Sequence, residues 1–223
     1  MRTARSWLAA VSIAAGVWAG AGGAADAVDV TASVRDQQGE PVEDAVVSAV
    51  AEDPTAPPAK PGREVVDQIN MEFVPHVKPI LTGSPVYFPN KDNVRHHVYS
   101  FSPAKRFELP LYAGTPADPV VFDRPGIVTI GCNIHDWMIG YIYVADTPHL
   151  GRTGADGRAR LASLPAGRYV LRVWHPRMEL PEDSTRRPVS LDRAGTVDLA
   201  WQVTLKLPLR PRRAPVPGQR GYR

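Results

Sequence analysis

Between Cys132 and Met138 the chain gathers a thiol, an imidazole and a thioether, in the run Gly131-Cys132-Asn133-Ile134-His135-Asp136-Trp137-Met138. Cys132 is the only cysteine in 223 residues. A buried cysteine met alone reads as a small inert hydrophobe. Three soft or borderline donors spaced three residues apart read instead as metal ligands. Cys132 and His135 sit too close along one strand and loop for a nucleophile–base pair, and no third residue is placed to orient the base.

A thiolate and two imidazoles around a metal, with a weaker axial thioether, form the ligand set of a blue-copper electron-transfer site. The Cys132–Met138 run supplies one imidazole, so the second must come from elsewhere. The stretch Asn90-Lys91-Asp92-Asn93-Val94-Arg95-His96-His97-Val98-Tyr99 offers two. On a strand the two histidines face opposite sides, His96 with Val98 and Ser100, His97 with Tyr99 and Phe101. Strand geometry alone leaves that choice open. His76, His149 and His175 lie outside the pattern and read as surface or strand-end residues. Asp136 and Trp137 would shape the surface beside His135.

Two strands must hold the donor loop. Gly126-Ile127-Val128-Thr129-Ile130 is rich in β-branched residues, and Ile139-Gly140-Tyr141-Ile142-Tyr143-Val144 follows the loop. Period two puts Val128, Ile130 and Cys132 on one face, and Met138, Gly140, Ile142 and Val144 on one face of the returning strand. Both sulfurs can then look into one apolar interior, with His135 at the tip between them. Val66–Phe73, Val77–Leu81, Pro85–Pro89, Val98–Phe101 and Val120–Phe122 read as further strands. Ser102 to Thr115 reads as a long connection. The strand count suits a Greek-key sandwich.

The residues Val86-x-Phe88-x-Asn90-x-Asp92, His96, and Cys132-x-x-His135-x-x-Met138 resemble the cupredoxin pattern of plastocyanins, with the short loop spacing of amicyanin. The wider context, His96 to Ser102 and Gly131 to Met138, resembles the plastocyanin-like periplasmic proteins called methylamine utilisation proteins. The resemblance covers roughly residues 66–146. It implies one copper ion, cycling between Cu(I) and Cu(II), held by His96, Cys132, His135 and axial Met138. It also implies transient redox partners of the dehydrogenase or cytochrome type. There are two departures from it. Asn133, Ile134, Asp136 and Trp137 stand where amicyanin-type loops carry prolines, and His97 stands where the family often has Asn.

Outside this region, Val28–Val34 alternates apolar and polar residues, Asp36-Gln37-Gln38-Gly39 turns, and Ala45–Val50 returns. Two strands bury no core of their own. Partners are available in Arg158–Leu164, Arg168–His175 and the alternating Val197–Leu207. Asp36-x-x-Gly39-x-Pro41-Val42 and Thr153-x-x-Asp156-Gly157, with Leu164-Pro165-x-Gly167-x-Tyr169, resemble the two halves of a transthyretin-like, carboxypeptidase-regulatory-like sandwich. The expected architecture is all-β: a Greek-key cupredoxin sandwich (residues 64–146) nested in a second Ig/transthyretin-like β-sandwich (28–60 plus 147–208). Residues 51–62 form a Pro-rich linker.

Residues 1–27 read as a signal peptide: Arg2 and Arg5, an apolar core too short to span a bilayer, then small residues. Residues 209–223, rich in Arg, Pro and Gly, read as a disordered basic tail. The net charge of +3 comes from these two ends, and the rest is slightly acidic. With no basic patch interleaved with aromatics, nucleic acid is not an expected partner. The chain is thus expected to be a periplasmic monomer without stable membrane insertion, carrying single electrons and catalysing no reaction. Copper or zinc binding and delivery, or a β-sandwich interaction module, are the alternatives.

Overall fold

The computed structural model describes residues 27–53, 59–116, 118–192 and 195–207. The expected signal peptide (1–27), apart from Ala27, which opens β1, and the expected basic tail (209–223) lie outside the described residues. The chain opens with β1 (Ala27–Arg35) and β2 (Val46–Ala51). Ten strands follow: β3 (Glu64–Val65), β4 (Asp67–Ile69), β5 (Glu72–Val74), β6 (Val77–Leu81), β7 (Ser84–Tyr87), β8 (His96–Ser102), β9 (Lys105–Tyr112), β10 (Val120–Phe122), β11 (Gly126–Gly131) and β12 (Ile139–Ala145). The last are β13 (Leu150–Arg152), β14 (Arg158–Pro165), β15 (Gly167–Trp174), β16 (Arg187–Leu191) and β17 (Gly195–Gln202). A 3-10 turn at Glu182–Thr185 is the only helix among the described residues, so the fold is all-β. No helix there is long and apolar enough to cross a membrane.

Strands from the two ends of the chain pair with one another. β1 lies between β14 and β17, antiparallel to the first and parallel to the second. β2 lies between β13 and β15, with β16 at the edge. Their inner faces meet in a core that includes Val28, Val30, Ala32, Val47, Ala49, Leu161, Leu171 and Trp201. The middle of the chain builds its own pair of sheets, β6-β12-β11-β8-β9 and β10-β7-β3. These enclose Val66, Phe73, Ile80, Val86, Phe88, Val98, Phe122, Val128, Ile130 and Ile142 together with Cys132 and Met138. Each such aliphatic or aromatic side chain, fully buried, contributes about 1.5–3 kcal/mol. A third small cluster joins the two sandwiches through Val46, Val77, Tyr143 and Ala145, with Trp174 and Tyr141 against it.

Three expectations change. The stretch read as a connection contains β9, paired along its length with β8. It is an edge strand whose charged Arg106 and Glu108 alternate with inward Phe107 and Leu109, so half its residues look like loop. Val66–Phe73 is not one strand but the hairpin β4–β5, which turns at Asn70 and Met71, both left-handed (φ 55° and 60°). Asn tolerates that conformation and Met does not favour it. In the third case the ladder of β17 stops at Gln202, although Val203 and Leu205 remain buried.

Gly140 shows how tightly the site's strands pack. A Cβ there would lie 2.9 Å from Phe73 Cβ and 3.2 Å from Ile130 Cγ1. Gly140→Ala should therefore lower stability by about 1–3 kcal/mol, the usual cost of overpacking a filled core. Urea denaturation checks this, and an unchanged midpoint would mean that β5 yields freely.

Candidate metal centre

Two strands and one loop bring the donors together. Cys132 follows β11 directly, on the side of Val128 and Ile130, and is 4 % exposed. The loop beyond it is pinned by backbone bonds from Cys132 N–H to the Met138 carbonyl (3.1 Å) and from Met138 N–H to the His135 carbonyl (2.9 Å). Between those bonds the chain has little freedom, and His135 is carried back toward Cys132. Cys132 Sγ lies 3.7 Å from His135 Nδ1 and 4.0 Å from His96 Nδ1. The two imidazole centroids are 5.0 Å apart.

His96, Cys132 and His135 each turn one donor atom into a common space, all within 4.8 Å of one another. Bonds of about 2.3 Å to a thiolate and about 2.0 Å to an imidazole, at 109–120°, separate sulfur from nitrogen by about 3.5–3.7 Å. The spacing therefore fits one ion shared by all three residues. Met138 is 1 % exposed and lies in the same buried cluster as Cys132. His97 faces away. Its Nε2 meets Glu108 Oε1 at 2.8 Å, and its ring leans on Tyr99. His175 is buried in the other sandwich, where its Nδ1 accepts from the Arg177 N–H.

A carboxylate not assigned a role from the sequence orients the first imidazole. Asp92 Oδ2 lies 2.7 Å from His96 Nε2. Since the carboxylate accepts, Nε2 carries the proton and Nδ1 presents its lone pair to Cys132 and His135. The Asp92 carboxylate also accepts from the Asn70 N–H (2.6 Å) and the Met71 N–H (2.8 Å), the left-handed turn of the β4–β5 hairpin. Desolvation raises the Asp92 pKa, but those two amides and His96 outweigh it, so the group stays below the usual carboxylate value. The available signal was position: an acid four residues before a candidate ligand, in a turn.

Behind Asp92 a polar network fixes the loop from Asn90 to His96. Asn90 Nδ2 donates to the carbonyls of Val94 (2.8 Å) and Tyr112 (3.0 Å), and its Oδ1 accepts from the Asp92 N–H (2.9 Å). Gln68, fully buried, donates from Nε2 to the Phe88 carbonyl and to Tyr112 Oη. Burial pushes the Tyr112 phenol up to about 12, so it stays protonated and donates to the Phe88 carbonyl at 2.7 Å. On the solvent side, Trp137 leans on His135 with ring centroids 5.3 Å apart, and Ile134 is 49 % exposed.

No protein-family model matches the chain, and no curated protein matches it. Several solved structures do, over part of it. A copper-containing nitrite reductase from Thermus scotoductus SA-01 is 24 % identical over 44 % of this chain, with a TM-score of 0.36; the match spans 26 % of the reductase. A purple cupredoxin from Nitrosopumilus maritimus is 22 % identical over 37 % of this chain and 98 % of its own, with a TM-score of 0.32. An oxidised mutant of amicyanin is 20 % identical over 46 % of this chain and all of its own, with a TM-score of 0.35.

Two outcomes follow from that geometry. Asp92→Ala removes the acceptor that fixes His96, and should weaken metal binding about 10- to 100-fold in competition with a chromophoric chelator. Equal affinity would show that packing alone orients the ring. Burial, then the neighbouring His96, hold the His135 pKa below 6.5, with Asp92 pulling the other way. Its folded value is thus below its unfolded one. As pH falls through about 6.5 the unfolded chain binds the proton first, and this group lowers the stability of metal-free protein. NMR titration should place the His135 midpoint below that of free imidazole, and a midpoint above it would contradict the packing.

Proposed function

We propose that this chain is a cupredoxin-type blue copper protein, exported to the periplasm, that carries single electrons and is not an enzyme. The observation that carries the reading is the convergence of one thiol and two imidazole Nδ1 atoms, within 4.8 Å of one another, beside a buried methionine. One copper ion, held by His96, Cys132, His135 and Met138, would supply a Cu(II)/Cu(I) couple.

The residues of the chain do the rest. Cys132 would bind the ion as its thiolate, and burial shields it from oxidation. Asp92 holds His96, and the short loop holds His135, in one arrangement for both oxidation states, which keeps reorganisation small. With four residues around one ion no open position is left for a substrate, which favours carriage over catalysis. His135, half-buried between exposed Ile134 and Asp136, would be the point where electrons cross to a partner. Such partners would bind briefly over a small patch. The resemblance to methylamine utilisation proteins favours redox partners of the dehydrogenase or cytochrome type.

The test is optical. Cu(II) added to purified protein should give an intense thiolate-to-copper band in the visible, lost in Cys132→Ser. Stoichiometric binding without that band would reject the carrier and leave a delivery or structural role. Met138→Leu should keep the band and shift the reduction potential. A potential identical to that of the parent would remove Met138 from the axial position.

A further inference from the structure

An open sheet edge offers unpaired amides and carbonyls to any strand that can reach it. Most edges of this fold are defended. The edge strands β6, β9, β14 and β16 each carry a proline and at least one lysine or arginine. β3, β4, β5, β10 and β13 have only two or three residues each. β17 differs. It is eight residues long, Gly195–Gln202, with no proline, lysine or arginine and a single charge at Asp198. Among the described residues no strand lies beyond it.

The open side can be read residue by residue. Ser33 Oγ donates to the Leu199 carbonyl at 3.4 Å, so Leu199 turns its backbone groups toward β1. Backbone groups alternate along a strand. Val197 and Trp201 therefore do the same, and Thr196, Asp198, Ala200 and Gln202 turn theirs outward. The side chains show an unfinished edge as well. Val197 and Leu199 pack against the core of their sandwich but stay half-buried, whereas Val30 and Ala32 beside them are fully buried. Past Trp201 and Gln202 the edge meets a hollow of about 270 Å³, bordered by Met178, Leu180 and Arg187, in which Leu180 is 60 % exposed.

We propose that β17 is a docking edge for a second copy of this chain, paired antiparallel with that copy's β17 about a two-fold axis. This departs from the monomer expected from the sequence, and it is independent of the metal centre. Outward-turned residues must face outward-turned residues, so the axis passes through a residue rather than between two. Centred on Asp198, it sets two carboxylates opposite each other, which is unfavourable. Centred on Val197, or on Ala200 and beyond, it leaves much of the strand unpaired. Centred on Leu199, it sets Asp198 against the second copy's Ala200 and Thr196 against its Gln202, with about eight backbone hydrogen bonds in all. Leu199 then meets Leu199 of the second copy, and Val197 of each copy enters the hollow beside Trp201 of the other. The half-buried Val197 and Leu199 and the exposed Leu180 lose water together in that one register, which is what commits the edge to a second copy.

Sedimentation equilibrium of the purified protein should show a species of twice the mass of one chain as its concentration rises to about 0.1 mM. Ala200→Asp lies on the exposed outer face and places a second carboxylate opposite Asp198 at two points in each dimer. It should weaken association about 2- to 30-fold, and adding Asp198→Lys should restore it. Far-UV dichroism and urea midpoints equal to those of the parent show that these variants remain folded. Crosslinking reads the register. Leu199→Cys should give a covalent dimer on mild oxidation, because facing Cα atoms of a non-hydrogen-bonded pair lie about 4.5 Å apart, within disulfide reach. Val197→Cys should give none. A single monomeric species at about 0.1 mM, association indifferent to Ala200→Asp, or crosslinking through Val197→Cys in place of Leu199→Cys would overturn the proposal. So would slow hydrogen exchange at the Asp198 and Ala200 amides of a monomer, which would mean that the edge is covered from within the chain.

Discussion

Three donors can share one ion only if they are held close before it arrives, and here a hydrogen-bonded ladder does that. His96 opens β8, Cys132 follows β11, and the loop returns His135 to both before β12 begins. The bond from Cys132 N–H to the Met138 carbonyl closes the loop, so its few residues do not have to be ordered by the metal. Preorganisation of this kind turns binding energy toward geometry rather than folding. The core serves the same constraint: Ile130, Val128 and Ile142 fix the strands, and Gly140 lets Phe73 press against them.

The second constraint is polar. Asn90, Asp92 and Gln68 sit in or beside an apolar core, where an unmade hydrogen bond costs about 1–3 kcal/mol. The partners named above, in turns and on strand ends, satisfy most of their groups. The left-handed Asn70–Met71 turn is unfavourable for Met71, yet it aims two amides at one carboxylate. Local strain there accompanies an orientation set at His96, the pattern seen where backbone conformation serves a site. The β4–β5 hairpin, short and peripheral, thereby belongs to the metal centre.

The second sandwich stands on the same sheet. Its Trp174 covers Tyr141 and Tyr143, and Tyr143 donates to Glu182 at 2.5 Å. Burial, then the Glu182 charge, push the Tyr143 pKa up, so the phenol remains a donor. This contact braces β12, the strand that receives the donor loop, while leaving β8 and the His135 end open. Support and access are thus divided between the two halves of one sheet.

The sequence by itself fixed the all-β class, because period-two alternation and β-branched runs are local signals, and it marked the donor types through their spacing at 132, 135 and 138. Strand periodicity did not separate His96 from His97, which only the resemblance decided for His96, since adjacent residues on a strand differ only in which face is buried, and the burial belongs to the sheet. Asp92 carried no periodic signal, because its role comes from amides twenty residues away. β9 was hidden by its wet face; the partners of β1 in residues 158–164 and 197–207 were expected from its lack of a core of its own, but the register that joins residues more than a hundred apart was not. Chemistry of the donors is written in residue types; their convergence, their orientation and the faces left open are decided by long-range pairing, which no local window contains.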